Sequence, residues 1–331
     1  MMNHGRQHHQ SFITFGLIVT LTFICFTLLP YSAAAFAKKR TKPSPPPTDT
    51  TEQGSMALKI LSYNIHGLDL PFGVDHSRYK DIGLELKRRR QNGTAPQIVA
   101  IQEAFHIATD AVIIESEYPY VAFGPPGNGF VHNSGLLILS EYPITDVSYI
   151  TYKNCTNFDC MAKKGVMQGL IHIPGMPKPL EFYNTHLNAS YECQAGTGQV
   201  CERASDPSEP IRMTQIEQIK DFMKTTHDPD RLFIFPGDFN HNPDGLDYLY
   251  WIGYMGLKNS THQCFVNQNC TGDDNAQEDW LTSVDHQYYI ESTPSQITST
   301  PTHFEKTFTE KVDGRYLSDH DGLEIDYQIE W

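Results

Sequence analysis

Positive charge is scarce in this chain. Lysine and arginine number 25 against 39 aspartates and glutamates, for a formal net charge of -14 over 331 residues. That balance excludes a broad basic surface for gripping nucleic acid, although a nuclease whose metal ions supply the local charge survives it. No Cys-x-x-Cys occurs and the seven cysteines are irregularly spaced, so a zinc-ribbon reading falls away. No internal repeat is present. Long apolar runs are confined to one, Ser11 to Pro30, which contains no charged residue.

That run is followed by small residues, with Ala35-Phe36-Ala37 offering a small-x-small cleavage site before Lys38. Residues 1–37 are therefore expected to be a cleaved signal peptide, an uncleaved membrane anchor being the alternative because the run approaches spanning length. Residues 38–56 are rich in proline and threonine and read as an extended linker. From 57 to 331 the texture is globular without a second linker, which predicts one large domain. Six cysteines remain beyond the signal segment, in three sequence-local pairs: Cys155/Cys160, Cys193/Cys201 and Cys264/Cys270. This is one of the fifteen pairings six cysteines allow, and disulfides in an oxidising compartment agree with secretion. Five Asn-x-Ser/Thr sequons occur, at Asn92, Asn154, Asn188, Asn259 and Asn269.

Several short apolar runs have the length of buried strands, and most end in polar residues that do not belong in a core. "LKILSYNIHG" stops at Asn64 and His66; "PQIVAIQEAF" presents Gln102 and Glu103; "LEFYNTHLN" ends in Asn184 and His186. "RLFIFPGDFN" ends in Asp238 and Asn240, and Asp319 and His320 precede a closing strand in "LSDHDGLEIDYQIEW". "NSGLLILSEYPI" supplies a further strand over Gly135–Leu139. Between them, "SEPIRMTQIEQIKDFMK" places Ile211, Ile216, Ile219 and Phe222/Met223 on one helical face, with Ser208 as its cap. "DGLDYLYWIGYMGL" reads as a second, buried helix closed by Gly256. Interleaved strands and helices predict an α/β fold with mixed sheets.

In such folds, strand ends gather at one sheet edge, where ligands bind. That edge is expected to hold Asn64, Glu103, Asn184, His186, Asp238, Asn240, Asp319 and His320. Hard oxygen donors without cysteine favour Mg²⁺, Mn²⁺ or Ca²⁺ over zinc, and few carboxylates per ion suits Mg²⁺ beside a substrate phosphate. The set points to a metal-assisted phosphoester site.

The ordered series "SYNIHG", "IQEAF", "NTHL", "PGDFN" and "LSDHDG" resembles the endonuclease/exonuclease/phosphatase superfamily, the deoxyribonuclease-I-like fold. The resemblance implies a four-layer sandwich, two packed mixed β-sheets flanked by helices. "YPYVAFG", "GLLILSEYPI" and "KKGVMQGLIHI" are most similar to the secreted neutral sphingomyelinase branch. By resemblance, Glu103 is the principal Mg²⁺ ligand, with Asn64 assisting at the same ion or holding a phosphate oxygen, and His66 a bystander. Asp238 orients the attacking water or binds a second ion, Asn240 steadies the phosphate, and Asn184 holds the phosphate or supports the residues that do. His186 and His320 move protons, Asp319 binds metal or orients a histidine, and Asp285 in "SVDHQYYI" hydrogen-bonds the last histidine. The implied substrate is a phosphodiester of a membrane sphingolipid or phospholipid, split as by a phospholipase C. The alternative is a secreted endonuclease acting on nucleic acid. Its one dense cationic run, "LKRRR" (Leu86 to Arg90), reads as a solvated helix end. Residues 291–316, where the sphingomyelinase branch carries a hydrophobic hairpin, are here rich in Thr, Ser and Pro.

Overall fold

Strand alternation decides which residues meet between the layers. The computed structural model describes residues 53–67, 75–128, 132–190, 206–254, 256–266, 270–272 and 280–331. At the centre of the first sheet, β1 (Ser55–Asn64) runs parallel to β2 (Ile98–Gln102) and antiparallel to β13 (Gly322–Glu330). Beyond β13 lie β12 (Thr298–Thr307) and β10 (Thr271–Gly272); beyond β2 lie β4 (Leu137–Ser140) and β3 (Tyr120–Phe123). The second sheet has the order β5 (Ile144–Thr151), β6 (Gly165–Ile171), β7 (Leu180–His186), β8 (Phe233–Asp238), β11 (Asp285–Ile290) and β9 (Lys258–Asn259). Its β7 and β8 are parallel and its other pairs antiparallel. Both sheets are mixed, as expected.

Because side chains alternate along a strand, Leu58 and Ile60 of β1 enter the same apolar cluster as Ile98 and Ala100 of β2, Phe182 of β7 and Ile234 of β8. This is the core between the sheets. The opposite faces carry Leu61, Tyr63, Val99 and Ile101 against Tyr79, Ile82 and Leu86 of α1 (Ser77–Gln91) and Val112 of α2 (Asp110–Ser116). On the other side, Tyr183, Phe233 and Phe235 meet Ile216, Ile219 and Met223 of α3 (Glu209–Thr226) and Trp251 of α4 (Leu246–Ile252). Each fully buried aliphatic or aromatic side chain contributes about 1.5–3 kcal/mol. The short α5 (Ser260–Val266) sends Cys264 into the inter-sheet core.

Several local expectations change. The signal segment lies outside the described residues, as does the linker up to residue 52. The globular domain begins before residue 57, because Ser55 and Met56 already pair with Glu330 and Ile329. Ser208 makes no side-chain cap; the Asp206 carboxylate instead accepts from the Ser208 amide at 2.9 Å. The helix α4 ends at Gly253 rather than Gly256, and only one of its faces is covered, with Leu246, Leu249 and Tyr250 exposed. The Thr/Ser/Pro-rich stretch contains β12, which closes the sheet against β13, and Pro301 sits where its register shifts. Disulfides join Cys155 to Cys160 and Cys264 to Cys270; the Cys193/Cys201 pair lies outside the described residues. The Asn188 and Asn259 sequons are buried, whereas Asn92 and Asn154 are exposed. Among the described residues no helix is long and apolar enough to cross a membrane.

Candidate active site

The face of β1, β7 and β8 that feeds Ile60, Phe182 and Ile234 into the inter-sheet core continues, at the strand ends, into Asn64, His186 and Asp238. Even spacing from the core residues dictates this. Register does the rest: His186 lies opposite Asp238 across the parallel β7–β8 pair, and Asp285 opposite Asp238 across β8–β11. Residues from 64 to 320 thereby meet at one end of the gap between the sheets.

The Asp238 carboxylate is the hub. Its Oδ2 accepts from Asn64 Nδ2 at 2.9 Å and lies 3.3 Å from His186 Nε2 and 3.9 Å from His320 Nε2. Its Oδ1 accepts the backbone N–H of Asn240 at 3.0 Å. The same aspartate thus closes an Asx turn and serves the site. Asn240 has a left-handed backbone (φ 50°), so it does not continue the strand's alternation; its amide donates to Leu187 O at 3.1 Å.

Glu103 approaches from the end of β2, accepting from Asn64 Nδ2 at 3.2 Å and lying 4.0 Å from His186 Nε2. It too is left-handed (φ 63°). Gly67 permits this placement, since a Cβ there would stand 1.7 Å from the Glu103 carbonyl oxygen. The amide of Asn64 therefore bridges two carboxylates.

On the far side, His320 Nδ1 lies 2.7 Å from Asp285 Oδ2, leaving Nε2 facing Asp238. Burial pushes the His320 pKa down, but Asp285, then Asp238 and Asp319, outweigh it and hold the imidazole well above its ordinary range. His186 is the opposite case. Burial, then the Lys164 and His320 charges, drive its pKa well below the usual value, so it stays neutral. Burial and the neighbouring Asp285 push Asp238 up to about 7 against the opposing pull of His320, Lys164 and Asn64. Such a carboxylate is short of positive charge. Asp238, Asp285 and His320 offer ligand atoms all within 4.8 Å of one another. With Glu103 adjacent, the hard oxygen donors fit a divalent cation of the Mg²⁺ type.

Two expected site residues stand apart from this group. Asn184 lies behind the strand ends, with its amide fully engaged. It lies on the face of β7 that carries His186 but two residues deeper, fully buried, donating to Ile101 O and Leu137 O at 2.9 Å each and accepting from Gln102 at 2.8 Å. It ties the two sheets together. Asp319 is exposed and pairs with His66, the supposed bystander, at 3.2 Å; it is not in the carboxylate–histidine group above.

Sequence reasoning assigned no role to Lys164. Its ammonium is buried, 2.9 Å from Asp159, 2.8 Å from His186 Nε2 and 3.1 Å from Leu187 O. One ring nitrogen cannot accept from Lys164 and donate to Asp238 at once, so the ring proton decides which bond is made. The "KKG" signal was visible, but nothing local distinguishes a buried lysine from a surface one. Arg78 was also missed. Buried in α1, it donates to Ile65 O at 2.8 Å, Leu317 O at 2.7 Å and His66 O, tying the Asn64 loop to the His320 loop. The "LKRRR" cations are spent on ion pairs: Lys87 with Glu117, Arg88 with Glu85, Arg89 with buried Glu324 and Arg90 with Glu141. Arg89 is buried, not solvated.

No protein-family model matches the chain. Among curated relatives, human sphingomyelin phosphodiesterase 3 is 32% identical over 124 residues, 33% of this chain and 17% of that protein. A phospholipase C of Staphylococcus aureus is 26% identical over 214 residues, 58% of this chain and 60% of that protein. The chain thus matches less than two thirds of the length of either. Among solved structures, a magnesium-bound variant of Staphylococcus aureus beta toxin is 19% identical with a TM-score of 0.57, covering 82% of this chain and 99% of the toxin. A humanized D. rerio TDP2 is 19% identical with a TM-score of 0.59, covering 82% and 98%.

Proposed function

We propose that this chain, which has the deoxyribonuclease-I-like fold and resembles the sphingomyelinase branch of its superfamily, is a secreted Mg²⁺-dependent phosphodiesterase that cleaves sphingomyelin to ceramide and phosphocholine. The carrying observation is the convergence of Asn64, Glu103, His186, Asp238, Asp285 and His320 at one end of the inter-sheet gap. The sphingomyelin phosphodiesterase and phospholipase C likenesses support the choice of substrate.

Glu103 and Asp238 would hold the cation, with Asn64 fixing both carboxylates, and the cation would neutralise charge developing on a phosphoryl oxygen. Asp238 orients the attacking water. His320 Nε2, in the neutral form reached as pH rises through its raised pKa, takes the water's proton, and Asp285 at Nδ1 fixes the tautomer and stabilises the imidazolium that forms, the division of labour seen in other histidine–carboxylate pairs. His186 is neutral and steadies the phosphoryl group; as the water oxygen bonds to phosphorus the bond from phosphorus to the ceramide oxygen breaks, and that oxygen leaves with a proton drawn from solvent. Asn240, beside the Asp238 turn, has one Nδ2 hydrogen on Leu187 O and offers the other to the substrate phosphate, and Asp319 acts through His66 at the rim.

The test is phosphocholine release from sphingomyelin vesicles, with Mg²⁺ and with EDTA, by the chain and its Asp238→Ala and Glu103→Gln variants. EDTA-sensitive release lost in both variants is the expected result. Full Mg²⁺-dependent activity of Glu103→Gln would overturn the metal assignment. Plasmid nicking without phosphocholine release would replace this reading with the endonuclease one. The dense cationic run that alternative would call on is engaged in ion pairs with Glu117, Glu85, Glu324 and Glu141, which favours the lipid reading.

A further inference from the structure

Arg78 is a buried guanidinium with no carboxylate partner among the described residues. It is 5% exposed at the start of α1. The carboxylates on either side of it in the chain, Asp75 and Asp81, pair with Arg315 instead, at 3.1 and 2.7 Å. Its own partners are backbone carbonyls: Nη1 donates to Ile65 O at 2.8 Å and to Leu317 O at 2.7 Å, and Nη2 donates to His66 O.

Burying a charge is costly, and a well-packed apolar side chain in its place is often neutral or stabilising. Stability alone therefore does not account for an arginine at this position. A rigid planar fork does what neither an apolar residue nor a single ammonium can, holding carbonyls of separate loops in one fixed geometry. Those loops carry opposite sides of the site. Ile65 and His66 follow Asn64, whose Nδ2 reaches Glu103 and Asp238. The turn also sets that amide, because Asn64 Oδ1 accepts the His66 N–H at 2.9 Å. His66 is left-handed (φ 51°), a conformation that surrounding contacts must hold. Leu317 lies just before His320, and Ser318 between them crosses the same gap. Its hydroxyl donates to Asn64 O at 2.7 Å and accepts from His320 N at 3.2 Å.

We propose that Arg78 is a positioning residue for phosphodiester cleavage: by tying the Asn64 turn to the Leu317–His320 loop, it fixes the base His320 relative to Asn64 and the carboxylates that Asn64 holds. The inference rests on the phosphodiesterase reading above. Arg78 acts through these backbones and lies outside the carboxylate–histidine group.

The experiment is Mg²⁺-dependent hydrolysis of p-nitrophenyl phosphocholine by the parent chain and by its Arg78→Lys, Arg78→Ala and Arg315→Gln variants, with folding followed by circular dichroism. Lysine keeps the charge and loses the fork. Arg78→Lys is expected to fold and to lose about 100-fold in kcat, the scale of a misplacement of about 1 Å. Its KM stays at the parent value, because no contact with bound substrate is removed. Guanidinium chloride at a sub-denaturing concentration restores turnover to Arg78→Ala, whereas sodium chloride at the same ionic strength does not. Arg315→Gln removes partly exposed ion pairs from the same loop, of a kind that contributes little, and keeps the parent kcat. Parent kcat in folded Arg78→Lys would overturn the proposal and leave the phosphodiesterase reading standing. A kcat loss that merely follows the loss of folded protein would overturn it too, as would an equal loss in Arg315→Gln. If Arg78→Ala does not fold, the kcat and KM of Arg78→Lys decide. Absence of Mg²⁺-dependent hydrolysis by the parent chain would bring down both readings together.

Discussion

Replacing Asp285 with asparagine changes one charge and almost no volume, and its consequence is directional. Asp285 Oδ2 lies 2.7 Å from His320 Nδ1, and Asp238 Oδ2 lies 3.9 Å from the other ring nitrogen. At the 2.7 Å of the Asp285 contact two unit charges interact by about 6 kcal/mol at an effective dielectric constant of 20, before solvation is recovered. Loss of an adjacent opposite charge moves a pKa by about 1–3 units in practice. A base must be neutral to act, so the parent chain gains activity as pH rises through the elevated His320 pKa. In Asp285→Asn that acid limb moves to lower pH by about 1–3 units. Asp238, pushed up to about 7 by burial and Asp285, shifts the same way, so the limb belongs to the coupled pair rather than to either group. The plateau kcat falls by about 10²–10⁴-fold, since the imidazolium loses its partner and the tautomer its anchor. The assay is kcat/KM for p-nitrophenyl phosphocholine between pH 5 and 9 at fixed Mg²⁺. A plateau loss with an unmoved acid limb would refute the charge argument and leave Asp285 a purely structural contact.

Gly67→Ala drives a Cβ to 1.7 Å from the Glu103 carbonyl oxygen; displacement of Glu103 by about 1 Å is expected to lower kcat/KM about 100-fold and weaken Mg²⁺ binding by calorimetry, with little change in fold by circular dichroism. Asn184→Ala strands two buried carbonyls, Ile101 O and Leu137 O. At about 1–3 kcal/mol for each, the loss is about 2–6 kcal/mol in urea unfolding, and KM of the surviving folded enzyme stays at the parent value. In EDTA, thermal stability is expected to fall as pH rises from about 6.5 to 8, whereas below 6.5 the buried, neutral His186, His241 and His286, which the unfolded chain would protonate, reverse the trend. The sign follows from two groups: native Asp238 keeps, up to about 7, a proton that the unfolded chain releases near 3.8, and native His320 keeps one above 6.5. Stability supplied by His320 is fully present below 6.5 and lost as pH passes its raised native pKa. Saturating Mg²⁺ should flatten or reverse the trend in Tm, because the ion prefers the deprotonated site.

Much of this was legible in one dimension. "LKILSYN" alternates and "RLFIFPGD" is a short unbroken apolar run, enough to predict β1 and β8, and their polar ends are where the site lies. Failures cluster where context overrides local pattern. Thr298–Thr307 has the composition of a loop, yet its backbone pairs with β13, an interaction that rewards position rather than side-chain type. Asn184 and His186 share a face of the same strand, and both look like site residues. Only the depth of the partner sheet shows that one meets buried carbonyls and the other Asp238. Arg89, third in a basic run, points inward because Glu324 waits there, 235 positions away in the chain.

The sequence by itself determined the residue types that end each strand, the parity that aims them, and the class of chemistry that oxygen donors and two histidines support. What only the tertiary structure decided was proximity and charge state. That His320 is held protonated while His186 is kept neutral depends on which carboxylates and which ammonium the folded chain brings within a few ångströms. It depends equally on how much water the two sheets exclude. Coulomb interaction and desolvation act through space, and the chain's order does not encode those distances until the sheets close.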